Sequence, residues 1–207
     1  MLKIATTIAL FICSILTAQT QYEQGMSKAL GLWQEGKVTE STALFERIAS
    51  AEKNNWLPNY YIALMNSTSA IGMQDKEKMT AMANKAQSAL DIEVIKTPDN
   101  PELLIVQALI HTVWLVSDPM TNGQKLSPKI MELYEKASKI APENPRVILS
   151  KAEFEIGGAA FWGTDTKPMC DQVKRSIPLF ENEKPATPFS PKWGKDRAET
   201  VLKNCKY

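Results

Sequence analysis

The sequence predicts an all-α fold, a short solenoid of three to four antiparallel helix pairs closed by a C-terminal capping helix. Ala29 and Ala63 lie 34 residues apart, each in an apolar stretch that follows a polar or turn-like segment. An interval of this length is the period of a helix–turn–helix repeat. Within the stretches apolar positions recur at three and four residues, as in Met26, Ala29, Leu30 and Trp33, which places them on one helix face. Between the stretches stand punctuating segments such as Gly36-Lys37, Asn54-Asn55-Trp56-Leu57-Pro58 and Thr97-Pro98-Asp99-Asn100-Pro101. These end one helix and open the next. One such unit cannot bury its own apolar face, so it stacks on neighbours and the stack presents a concave surface.

The first 18 residues stand apart from this pattern. Lys3 gives a positive start, residues 4–16 form a nearly unbroken apolar run, and Leu16-Thr17-Ala18 offers a cleavage site after Ala18, with Gln19 as an alternative edge. This is the design of an export signal. The run is shorter than the roughly 20 apolar residues of a membrane-spanning helix. Cys13 follows Leu10-Phe11-Ile12, without the small residues that precede a lipid-attachment cysteine. The expected organisation is a signal peptide over 1–18, repeats over 19–165 and a helical cap over 166–207.

The first helix is expected over 22–35 and stops at Gly36, because glycine readily takes the αL geometry of a helix end. The second is expected over 38–51, with Ser41, Leu44, Phe45 and Ile48 along one stripe. Here Ala29, Leu32-Trp33, Gly36, Ser41, Phe45 and Ile48 follow the order small residue, bulky pair, turn glycine, small residue, aromatic, small residue. That order resembles the tetratricopeptide repeat (TPR), with Ser41 and Ile48 in place of the usual alanines. The resemblance covers about residues 22–165. It implies that the first helix of each pair lines a groove that holds a peptide. By register Met26, Leu30, Trp33, Tyr60, Leu64, Ile105 and Leu109 would face this groove, and their character suits a hydrophobic peptide better than a carboxylate-tipped tail.

The remaining elements follow in order. Tyr60, Ala63, Leu64 and Ser67 carry a third helix to Gly72, and a long fourth helix over 75–95 has Met79, Met82, Ala83, Ala86, Ala89 and Leu90 on its stripe. The next equivalent alanine, Ala108, lies 45 residues beyond Ala63, so this unit carries an insertion. A strongly apolar fifth helix is expected over 103–116. A loop is expected over 117–127, punctuated by Pro119, Asn122 and Gly123, with Pro128 following. A sixth helix is expected over 129–140. A seventh over 146–156 has Ala152 at the small-residue position, and 157–163 reads as a turn that places Phe161 and Trp162 on the stack. Helices over 169–180 and 192–204, separated by the proline-punctuated stretch 185–191, complete the chain. The last acts as the cap that a terminal repeat needs.

Composition narrows the function. Removing the signal removes Lys3 and leaves 189 residues with 23 basic and 23 acidic side chains. That balance provides no electrostatic footprint for nucleic acid, and the length suffices for one domain with a sizeable core. Cys170 and Cys205 remain, an even pair in an oxidising compartment. A structural disulfide is the favoured reading, ahead of free thiols and of metal or redox chemistry. The two cysteines are 35 apart and the one histidine, His111, lies elsewhere, a poor metal set. His111 sits within Leu109-Ile110-His111-Thr112-Val113-Trp114 and reads as a core histidine, with no nucleophile or orienting carboxylate at a catalytic spacing. Glu132 with Lys136, and Glu135 with Lys139, fit the i,i+4 spacing of a solvated helix face. No catalytic residue, cofactor or metal is expected.

These readings lead to an exported, non-enzymatic protein of the periplasm or cell envelope, bacterial in design, that binds a protein or peptide partner. Two others stay open. One is a small-ligand carrier or enzyme with a pocket between the repeats and residues 157–195, lined by Trp162, Phe189 and Trp193. The other is a subunit whose groove is filled by a second copy of the chain.

Overall fold

Prolines and short polar side chains decide where the helices begin. Pro58, Pro101, Pro119, Pro145 and Pro168 each stand in a first turn, where the missing N–H has no helical partner to lose. Asn100 accepts from the Glu102 N–H at 3.0 Å and Asn144 from the Arg146 N–H at 2.9 Å. Asp75 accepts from the Glu77 and Lys78 N–H groups, both at 3.1 Å. Each satisfies amides that a helix N-terminus leaves unpaired.

The computed structural model describes residues 19–205, apart from the side chains of Ala160 and Trp162. The signal expected over 1–18 lies outside the described residues. α1 covers 19–34. It is followed by α2 (Val38–Ala51), α3 (Leu57–Ala70), α4 (Lys76–Val94), α5 (Pro101–Ser117), α6 (Pro119–Ile140), α7 (Pro145–Trp162), α8 (Lys167–Asn182) and α9 (Lys195–Asn204). No strand occurs among the described residues. α3 packs on both α4 and α5, and α5 on both α6 and α7. Odd-numbered helices therefore form one layer, and each even-numbered helix backs its predecessor. The small residues singled out in the sequence sit at these contacts. Ala29, Ala63, Ala108 and Ala152 are all buried, which lets neighbouring helices approach closely. The fold is an all-α helical repeat.

Two local expectations are corrected. The loop expected over 117–127 is the first half of α6. Pro119 occupies the tolerant first turn, Asp118 accepts from the Thr121 N–H at 3.2 Å, and Asn122 donates to the Trp114 carbonyl at 2.8 Å, satisfying the end of α5. The turn expected over 157–163 is the last part of α7, which runs through Gly157-Gly158 and ends at Gly163, φ 66°. Phe161 is 86% exposed and does not pack on the stack.

Cys170 of α8 and Cys205, just beyond α9, are joined in a disulfide. Together with the packing of α8 on α9, it anchors the end of the chain to the last full pair.

Candidate functional site

The segment 183–194, between α8 and α9, has no regular structure, and it crosses the layer of odd-numbered helices. It turns at 187–190, where Ser190 N–H donates to the Thr187 carbonyl at 3.2 Å and Thr187 N–H donates to Ser190 Oγ at 2.9 Å. At the turn Phe189 meets Tyr22 of α1 edge-on, ring centroids 5.6 Å apart, and its carbonyl accepts from the Tyr61 hydroxyl at 2.9 Å. On the way back Trp193 packs against two clusters of the apolar core, one that contains Tyr60 and Tyr61 and one that contains Leu104, Ile105 and Val147. Its indole N–H donates to the Tyr60 hydroxyl at 2.8 Å.

Beneath this loop lies a buried polar network. The Tyr60 hydroxyl donates to Glu102 Oε2 at 3.0 Å, while Glu102 Oε1 accepts from Asn144 at 2.7 Å and from Arg146 Nε at 2.8 Å. Arg146 also grips both oxygens of Glu183, where the loop leaves α8. Burial opposes the Arg146 charge, but Glu183 and Glu102 outweigh it and raise its proton affinity further. Burial, and then the Glu102 charge, push the Tyr60 phenol well above its usual range. Charged groups this deep are tolerable only when paired and hydrogen-bonded. Among the described residues no buried side-chain polar atom lacks a partner.

This arrangement fixes where the expected groove residues lie. Met26, Tyr60, Leu64 and Ile105 are buried, and Leu30, Trp33 and Leu109 are half-buried against the same core. Of the expected groove residues Tyr60 meets the loop directly, through Trp193, and Phe189 and Trp193 pack against the same core. These two are the described residues of the alternative pocket; the Trp162 side chain is outside the description.

A separate cleft of about 340 Å³ opens between α5 and α6, lined by Leu104, His111, Lys129, Glu132, Leu133 and Lys136. The His111 ring is half-buried. Burial, and then the nearby Lys129 charge, lower its pKa below the ordinary imidazole value. Its Nε2 lies 3.5 Å from Gln107 Nε2, and Gln107 exchanges two hydrogen bonds of 2.9 Å with Gln87 of α4.

Sequence reasoning missed Glu102, Arg146, Glu183 and Lys129. A signal existed for two of them. Glu102 follows Asn100-Pro101 and Arg146 follows Asn144-Pro145, so opposite charges occupy equivalent first-turn positions of helices expected to be neighbours.

No protein-family model and no curated protein matches the chain. Two solved structures share its fold. The HusA haemophore from Porphyromonas gingivalis superposes with a TM-score of 0.78 at 20% identity, over 89% of this chain and 92% of that one. TTC0263, a thermophilic TPR protein of Thermus thermophilus, superposes with a TM-score of 0.59 at 14% identity, over 76% and 74% of the two chains. The chain is an all-α, TPR-like repeat protein, similar in fold to a haemophore along nearly its whole length.

Proposed function

We propose that this protein is an exported, non-enzymatic carrier of a small, planar, apolar ligand of the haem class. The observation that carries the reading is the occupied odd-helix face. Phe189 and Trp193 lie against Tyr22, Tyr60 and Tyr61, on the side where a TPR-like stack would hold a peptide, and Arg146 fastens the base of their loop through Glu183. Of the two binding roles that the sequence suggests, this supports carriage of a small ligand over peptide scaffolding. The haemophore likeness covers 89% of this chain, and it supplies the ligand class. A structural disulfide suits a protein that works in an oxidising compartment.

Titrating the chain without its signal with haem tests this reading. A saturable shift of the Soret band at one ligand per chain is expected, with Kd about 1 μM or tighter, which corresponds to roughly 8 kcal/mol. A spectrum that grows without saturation overturns it.

A further inference from the structure

We propose that the cleft between α5 and α6 is the ligand's seat, with a ring nitrogen of His111 binding the iron and Lys129 pairing with a ligand carboxylate. This rests on the carrier reading.

The cleft has the chemistry such a ligand needs. Leu104 and Leu133 give it apolar walls, while Lys129, Glu132 and Lys136 line one side of it along α6. Its volume of about 340 Å³ falls within the range of small-molecule sites, and sites of this kind combine apolar walls with a few fixed polar groups. It is open to solvent, so a planar ligand can enter by one edge and keep its charged edge outside.

His111 is the one histidine in the chain, and imidazole is a common axial partner of haem iron. The hydrogen-bond partner that the ring has, Gln107, stands at 3.5 Å, too far for a strong bond. Gln107 is already satisfied by its paired bonds with Gln87, so turning the ring toward a metal costs little. Among the described residues no group of three or more His, Cys, Asp or Glu could hold a bare ion. A metalloporphyrin brings its own equatorial nitrogens and asks the protein for an axial group alone.

The two lysines differ. Lys136 is engaged by Asp99 at 2.7 Å and by the Pro98 carbonyl at 3.3 Å. Lys129 forms no ion pair with a described residue. It lines the same cleft as His111, so a ligand carboxylate beside it would meet an unspent positive charge. Glu132, one turn further along α6, repels that carboxylate and leaves Lys129 as its partner.

The test compares haem with metal-free protoporphyrin IX on the wild-type chain and on the His111→Ala, His111→Gln and Lys129→Glu variants. Both histidine variants should weaken haem binding at least about tenfold and move the Soret band, the scale on which metal-site changes are read. Their affinity for protoporphyrin IX should change less than about twofold, well under one decade of binding. Lys129→Glu should weaken both ligands. His111→Gln keeps a polar partner for Gln107, so it serves if the alanine variant unfolds. Equal haem affinity and identical spectra in wild type and folded histidine variants overturn the cleft assignment and leave the carrier reading standing. Failure of the wild type to bind either porphyrin overturns both.

Discussion

Truncating Arg146 would strand Glu102, which is 7% exposed and would keep only Asn144 and Tyr60 as neutral partners. Breaking a buried ion pair from one side costs about 3–5 kcal/mol, because the abandoned charge remains buried. Arg146→Ala should lose about that much in urea unfolding; a loss under about 1 kcal/mol would show that the network contributes little. Tyr60 and Tyr61 give the pH dependence. Burial raises both folded-state pKa values above the ordinary 10.0. In the unfolded chain these phenols ionise near pH 10, whereas in the folded protein they keep their protons. The unfolded state then binds fewer protons, and stability must fall as pH rises. Stability should therefore be intact at neutral pH and decline above about pH 10, followed by denaturant midpoints alongside tyrosinate absorbance; a flat profile to about pH 11.5 would contradict the burial of these hydroxyls. At this scale the sequence was half legible. Ala29 and Ala63 stand out because burial of small residues at helical spacing is a local pattern. Glu102 and Arg146 pair across 44 residues, and that pairing depends on how two helices align, which no local pattern states.

Helix ends follow the same division. α2 spans the residues expected of it, 38–51, and Gly36 terminates α1 with φ 76°. The start of α6 departs from expectation because Pro119, Asn122 and Gly123 are turn residues in isolation, yet a capping Asp118 and a contact from Asn122 to α5 turn the same letters into a helix. Gly194 is the critical joint before α9. Its φ is +116°, and a Cβ there would stand 2.6 Å from the Phe180 ring. Positive φ costs an L-residue roughly 1–2 kcal/mol, and overpacking adds about 1–3 kcal/mol. Gly194→Ala should therefore lower stability by about 2–5 kcal/mol in chemical denaturation, and an unchanged midpoint would refute the clash. The Cys170–Cys205 bridge closes a loop of separation 35, for which the chain-entropy model gives roughly 3–4 kcal/mol. Reduction, or the double Cys→Ser variant, should lower Tm clearly; equal melting of oxidised and reduced protein would show that α8–α9 packing suffices.

A linear solenoid unfolds by units, because each repeat touches its neighbours alone. Here the segment 183–194 joins α8 to Tyr22 of α1 and Tyr61 of α3, so the last pair and the first pair share contacts. Urea unfolding should be one transition, coincident by tryptophan fluorescence and far-UV circular dichroism. The Phe189→Ala, Trp193→Ala double variant should separate the two probes or reduce the m-value. Coincident transitions with an unchanged m-value would show that the loop does not couple the ends. The number of pairs is therefore not free to vary. An excursion of about 12 residues that goes out and returns reaches about 20 Å at roughly 3.3 Å per residue, and neighbouring helices stand about 8–10 Å apart. That span takes the tip from α7 past α5 to α3, from where the Phe189 ring reaches Tyr22 of α1. Duplicating a pair, the usual way such proteins grow, would carry Tyr22 beyond the reach of Phe189. The loop acts as a ruler: lengthening the stack requires lengthening the loop in the same step.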